Sequence, residues 1–195
     1  MTSRSNCAAQ FILPDRGSMS HLPILSAFKR APSLDVSKWY MGSLITNLAE
    51  AGETNAAYCL MEALLKPGNE PPPHVHSRED ELFYVIEGNF DVYVGAELFT
   101  VSQGGCVFLP RLKPHAFIIR SHQLRLLTLF TPGGIEDAFR SRSIPAQALE
   151  LPANAITYST GDLEQVAQRL REHGVRILAP DEIADQLPLY PSRQA

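Results

Sequence analysis

The stretch GNEPPPHVHSREDELFYVIEG, residues 68–88, decides how the chain is read. Three prolines hold the backbone before His74 extended, because each disfavours helical geometry in the residue ahead of it. In an extended segment, side chains at i and i+2 share a face. His74 and His76 are therefore expected to point the same way. The next run alternates: Glu81, Phe83 and Val85 fall on one face, Leu82, Tyr84 and Ile86 on the other. A carboxylate opening so apolar a strand must be paired or metal-bound if it faces inward, since an isolated buried charge is very costly.

A third imidazole follows in GGCVFLPRLKPHAFII. His115 lies behind Pro114 and shares its face with Phe117 and Ile119. Three imidazoles and one carboxylate on inward strand positions form an N3O donor set. Such a set suits a divalent first-row ion: iron, nickel, cobalt, manganese, copper or zinc. The apolar neighbours Phe83, Val85, Phe117 and Ile119 are expected to be both core and pocket wall.

Working outward, short runs rich in aromatic and branched residues recur from about residue 38, punctuated by Gly, Pro, Asn or Ser roughly every ten residues. This texture predicts an all-β sandwich or barrel. Gly68, Gly88, Gly95, Gly104 and Gly105 mark its turns. GIEDAFRSR predicts one short helix. GDLEQVAQRLREHG predicts another, with Asp162 as N-cap, Gln165 completing the capping box, an apolar stripe of Leu163, Val166, Ala167 and Leu170, and Gly174 as its end. The expected organisation is an irregular N-terminal arm over 1–36, a barrel over 37–134 and a helical tail over 135–195, with the final LPLYPSRQA loose.

The 195 residues suffice for a domain with a substantial core, and 45% apolar against 19% charged residues excludes a disordered chain. A net charge of −4 without a basic stripe argues against nucleic acid. No apolar run approaches a bilayer span, so no membrane partner and a cytoplasmic location are expected. Cys7, Cys59 and Cys106 have no disulfide or zinc spacing. Cys59 and Cys106 are expected to be buried and inert. Glu79 and Asp80 read as solvated turn charges, as do Arg111 and Lys113. His21, His122 and His173 read as surface residues.

Gly68, His74, His76, Glu81 and Gly88, at their spacing, resemble the first motif of the cupins. Gly104, Pro110 and His115 resemble the second, with Leu112 where glycine is usual and Ile119 where asparagine is common. The resemblance covers residues 55–135 and is strongest to the quercetin 2,3-dioxygenase-like group. It implies a cupin double-stranded β-helix, a jelly-roll barrel of six to eight strands, with short C-terminal helices behind it. It also implies one metal ion on His74, His76, Glu81 and His115. The activity implied is a dioxygenase taking a flavonol or similar enolic small molecule and dioxygen, with Glu81 as catalytic base. The alternatives are a metal-dependent isomerase, decarboxylase or hydrolase of a small sugar or keto acid, to which Glu62 and Tyr93 could contribute polar groups, and a non-enzymatic binding protein. A homodimer is expected, because strand-rich barrels have sheet edges to cover.

Overall fold

A computed structural model describes residues 24–191; His21, Cys7 and most of the expected arm lie outside it. Residues 24–33 carry no regular structure, and one 3-10 turn follows at Leu34–Val36. Ten strands then run in order: β1 Ser37–Tyr40, β2 Ser43–Ala49, β3 Cys59–Leu65, β4 His74–His76, β5 Asp80–Glu87, β6 Asn89–Val94, β7 Glu97–Ser102, β8 Cys106–Leu109, β9 His115–Ile119 and β10 Leu124–Thr131. Behind them come α1 Glu136–Arg140, β11 Ile144–Pro145, α2 Thr160–Glu172, β12 Val175–Ile177 and α3 Pro180–Gln186.

The strands form two antiparallel sheets, ordered β11-β1-β2-β3-β10-β5-β8 and β12-β4-β9-β6-β7. The count of twelve exceeds six to eight because β1, β2, β11 and β12 lengthen the sheets at their edges. Strand β5 alternates as expected, with Glu81, Phe83 and Val85 buried and Tyr84 exposed. Side chains from both inner faces, Phe83, Phe90, Phe117 and Leu126 among them, interlock between the sheets. The rings of Phe83, Phe90 and Phe117 meet pairwise at 5.6–5.8 Å between centroids. The chain crosses between sheets at Gly88, with φ of 90°, where a Cβ would lie 2.4 Å from the Gln123 carbonyl oxygen. Only glycine fits that crossing.

The tail is more than helical. β11 pairs with β1, and β12 pairs with β4, setting Val175 opposite His76 and Ile177 opposite His74. Neither strand has a sequence signal of its own; each is a strand because an edge is available to it. Helix α2 begins at Ser159, whose hydroxyl accepts from the Asp162 N–H while the Asp162 carboxylate accepts from the Ser159 N–H. The expected cap at Asp162 is thus corrected: Ser159-x-x-Asp162 closes the capping box one turn earlier. Of the expected loose end, residues 192–195 lie outside the described residues, and the rest is docked. Leu187 is fully buried, and Tyr190 sits edge-on to Tyr93 at 5.2 Å. Cys106 is exposed, contrary to expectation, because alternation along edge strand β8 turns Val107 and Leu109 inward and Cys106 and Phe108 outward.

Candidate metal centre

Strand β4 carries His74 and His76, β5 opens with Glu81, and β9 opens with His115. Antiparallel pairing puts His74 directly opposite His115, while Leu109 and Phe130 flank Glu81 on its neighbouring strands. One donor atom from each of the four side chains lies within 4.8 Å of all the others. Nε2 of His74 is 3.1 Å from Nε2 of His115, and Oε2 of Glu81 lies 3.4 Å from His115 Nε2 and 3.7 Å from His76 Nε2. An ion bound at 2.0–2.2 Å would require donors separated by roughly 3–4.4 Å. The separations of 3.1, 3.4 and 3.7 Å fall within that range.

The second nitrogen of each ring explains why the donors face one another. Nδ1 of His74 sits 2.9 Å from the Pro72 carbonyl oxygen, Nδ1 of His115 sits 3.2 Å from that of Lys113, and Nδ1 of His76 sits 3.2 Å from Glu79 Oε2. All three acceptors call for an N–H at Nδ1, which leaves every Nε2 lone pair aimed at the common point. Burial, reinforced by the neighbouring imidazoles, holds His74 well below the usual histidine pKa, so its ring is neutral as a ligand must be. Glu81 Oε2 is buried and has no hydrogen-bond partner. A buried, unsatisfied carboxylate oxygen facing three imidazole lone pairs fits a cation and little else.

Glu79 was misjudged from the sequence. It is 4% exposed rather than solvated, and its carboxylate orients His76. Asp80 instead pairs with Arg111, whose guanidinium donates to both carboxylate oxygens at 3.1 and 2.7 Å. The second-motif loop turns at Leu112, with φ of 66°, and the Leu112 N–H donates to the His76 carbonyl oxygen at 2.7 Å. Left-handed backbone is costly for leucine, which is the physical content of its standing where glycine is usual. His122 is exposed, and His173 is only half-buried, with its ring nitrogen on the Arg169 carbonyl.

A cavity of about 420 Å³ opens beside the cluster, bordered by His74, His76 and Glu81. Phe83 and Phe117 line it. Val85 and Ile119 do not; they belong to the packed core beyond its end. Glu62 faces away from the cavity and pairs with Arg125 at 2.6 Å, and Tyr93 packs on the outer face beneath the tail. The remaining wall is mostly apolar, with Ile45, Met61 and Phe130 from the barrel and the α2 stripe from the tail, though Ser43, Asn69 and Thr128 also line it. Sequence reasoning placed that stripe on one helix face but had no signal for what the face covers.

Among the described residues, no helix is long and apolar enough to cross a membrane. Residues 61–131 match the cupin domain family. Two curated proteins are similar. Quercetin 2,3-dioxygenase of Bacillus subtilis is 18% identical over 133 residues, 68% of this chain and 39% of that protein. An uncharacterized protein of Streptomyces coelicolor is 35% identical over 60 residues, 31% of this chain and 54% of that protein. The chain thus spans about two fifths and about half the length of these relatives. Among solved structures, KdgF from Halomonas sp. superposes with a TM-score of 0.44 at 22% identity, covering 49% of this chain and 84% of that one. The family match runs from within β3 to the end of β10, so residues 61–131 carry a cupin domain, set in an antiparallel double sheet of the all-β jelly-roll kind.

Proposed function

We propose that this protein is a metal-dependent dioxygenase of the quercetinase-like cupin type, acting on a flavonol or a similar enolic aromatic molecule with dioxygen. The observation that carries the reading is the conjunction of an unpartnered, buried Glu81 carboxylate with a wall that is otherwise almost wholly apolar. His74, His76, Glu81 and His115 would hold one divalent transition-metal ion. Such an ion supplies Lewis-acid stabilisation of a deprotonated substrate oxygen. Glu81, loosening its coordination, would accept the hydroxyl proton of the substrate as general base. Phe83, Phe117 and Phe130 exclude water and receive a flat ring. Glu79 holds His76 in the Nδ1–H form throughout.

An isomerase or hydrolase of a sugar would need several inward polar groups, and Glu62 and Tyr93 are turned elsewhere. The similarity to a quercetin 2,3-dioxygenase supports the reading only at the level of 18% identity. The proposed organisation keeps an arm over 1–36, a barrel over 37–134 and a tail over 135–195. A cytoplasmic homodimer completes the proposal, supported by sheet edges at β7 and β8 that are unpaired among the described residues. The test is oxygen consumption with 3-hydroxyflavone and quercetin, on protein loaded in turn with iron, nickel, cobalt, manganese, copper and zinc. Uptake with at least one metal, abolished by Glu81→Gln, is expected. No uptake with any metal overturns the reading.

A further inference from the structure

The barrel supplies the donor cluster, yet one whole wall of the cavity comes from outside the family match of residues 61–131. Helix α2 lays Leu163, Val166, Ala167 and Leu170 along it. These positions follow the i, i+3, i+4, i+7 pattern of a single helix face. The stripe is anchored next to the donor cluster at one end. Leu170 packs with Phe130 and Val175, the Phe130 ring lies 5.7 Å from that of His76, and Val175 pairs with His76 across β12 and β4. Just beyond the helix, the Gly174 carbonyl oxygen accepts from both the N–H and the hydroxyl of Ser77 at 2.8 and 2.9 Å. A Cβ on Gly174 would sit 2.6 Å from that hydroxyl oxygen, so the helix end is clamped onto the loop leaving the histidine strand.

From Leu170 the stripe runs away from the cluster. Leu163 is seven residues earlier, about 10 Å along the axis at 1.5 Å per residue. It is 45% exposed, at the outer end of the wall. Arg142 fixes that end, with its guanidinium on Asp162 at 3.2 Å and on the Gln165 side chain. The wall is therefore a rigid apolar edge graded by distance from the metal-binding end.

We propose that α2 is the specificity element of this site and acts as a ruler for ligand length. Leu170 meets the part of a ligand nearest the donor cluster, Ala167 the middle, and Leu163 the far end. The ligand class it selects is extended, apolar and about three fused or linked rings long, with its enolic oxygen at the cluster. The inference rests on the proposed reading only in placing that oxygen at the four ligands. It does not depend on turnover.

The test is equilibrium binding to zinc-loaded protein, without oxygen, of two ligands that share a hydroxy-enone head. One is 3-hydroxyflavone, with three rings; the other is 3-hydroxy-2-methyl-4-pyranone, with one. Ala167→Phe should weaken the flavone at least about tenfold and leave the pyranone within about twofold, since added bulk penalises only a ligand that reaches it. Leu163→Ala, at an exposed position with little burden on folding, should weaken the flavone several-fold and spare the pyranone. Leu170→Ala should weaken both. Circular dichroism melts establish that each variant is folded; if Ala167→Phe does not fold, the Leu163 and Leu170 variants decide alone. Equal losses for both ligands at Leu163, or none for either, overturn the ruler and leave the proposed function standing. Wild-type protein that binds neither ligand overturns both.

Discussion

Replacing Glu81 with leucine should make the chelator-treated protein more stable and the metal-treated protein less so. Glu81 is buried between Leu109 and Phe130 on adjacent strands, shares its face with Phe83, and has one carboxylate oxygen without any partner. A buried polar group left unsatisfied costs about 1–3 kcal/mol, and more when it is charged. Leucine is close to glutamate in size and its strand neighbours Leu109 and Phe130 are apolar, so the substitution should stabilise the metal-free fold by about 2 kcal/mol. For a chain of this length that is a rise in melting temperature of about 4–8 °C. With metal the order reverses. An ion at about one hundred times its dissociation constant adds about 2.7 kcal/mol to the form that binds it. The variant, with three imidazoles alone, should gain less than about 0.7 kcal/mol, the margin by which about 2.7 exceeds about 2. The assay is a pair of thermal melts, in excess chelator and in excess zinc or nickel, on both proteins. If the variant melts below the parent in chelator, the carboxylate is holding the fold together and the argument for a metal ligand is wrong.

Glu79→Ala should lower metal affinity by about 10- to 100-fold in chelator competition, whereas Glu79→Gln, which keeps an acceptor for the His76 ring, should lose much less. Leu112→Gly should stabilise the fold by about 0.5–1 kcal/mol in urea titrations, since it relieves left-handed strain at an exposed position and offsets the greater freedom of glycine in the unfolded chain. Iodoacetamide should label Cys106 readily and leave Cys59 intact, because burial beside the Glu136 carboxylate pushes the Cys59 thiol far up. Arg30 donates to both oxygens of Glu53 at 2.8 and 2.5 Å and brings that carboxyl down from 4.5 to about 2. A carboxyl lowered in the folded state stabilises above its unfolded value and ceases to as pH falls through its folded one. Glu53→Gln should therefore cost about 1 kcal/mol at neutral pH, screening by solvent keeping it that small. The difference from the parent should shrink below about pH 4.5 and vanish near pH 2 in pH-dependent melts.

The barrel was legible because its signals are local. Period-two alternation in β5 and β10 survives in the burial pattern residue by residue, and the glycines that punctuate the strands at 68, 88, 95 and 104 all adopt positive φ. The cluster of four donor side chains was legible for a related reason: parity along each strand, with prolines keeping the segment extended, is enough to aim His74 and His76 together. The tail was not. Val175, Arg176 and Ile177 form a strand only because β4 offers an unpaired edge, and Leu187 and Tyr190 are ordered only by the face of sheet they land on. Glu79 escaped because its partner lies three residues back across a turn whose geometry the sequence does not announce. A run of three acidic residues gives no hint that Glu79 folds inward beside Glu81.

The pocket residues show how far parity reaches. Glu81, Phe83 and Val85 share one face, as do His115, Phe117 and Ile119, and all six point between the sheets. Parity sets direction and leaves depth open. At about 3.3 Å per residue, Phe83 and Phe117 stand roughly 7 Å along their strands from the ligands, and Val85 and Ile119 roughly 13 Å. The cavity reaches the first pair and not the second, where Phe90 and Val92 fill the barrel beyond Leu126. Since the barrel closes at that end, a ligand longer than one ring can extend only toward the opposite side, along the wall that α2 provides. The two ends of this site therefore come from different parts of the chain. The donors and their depth are set by strands that pair in order, and the permitted length by a helix whose sequence gives no sign of what it will face.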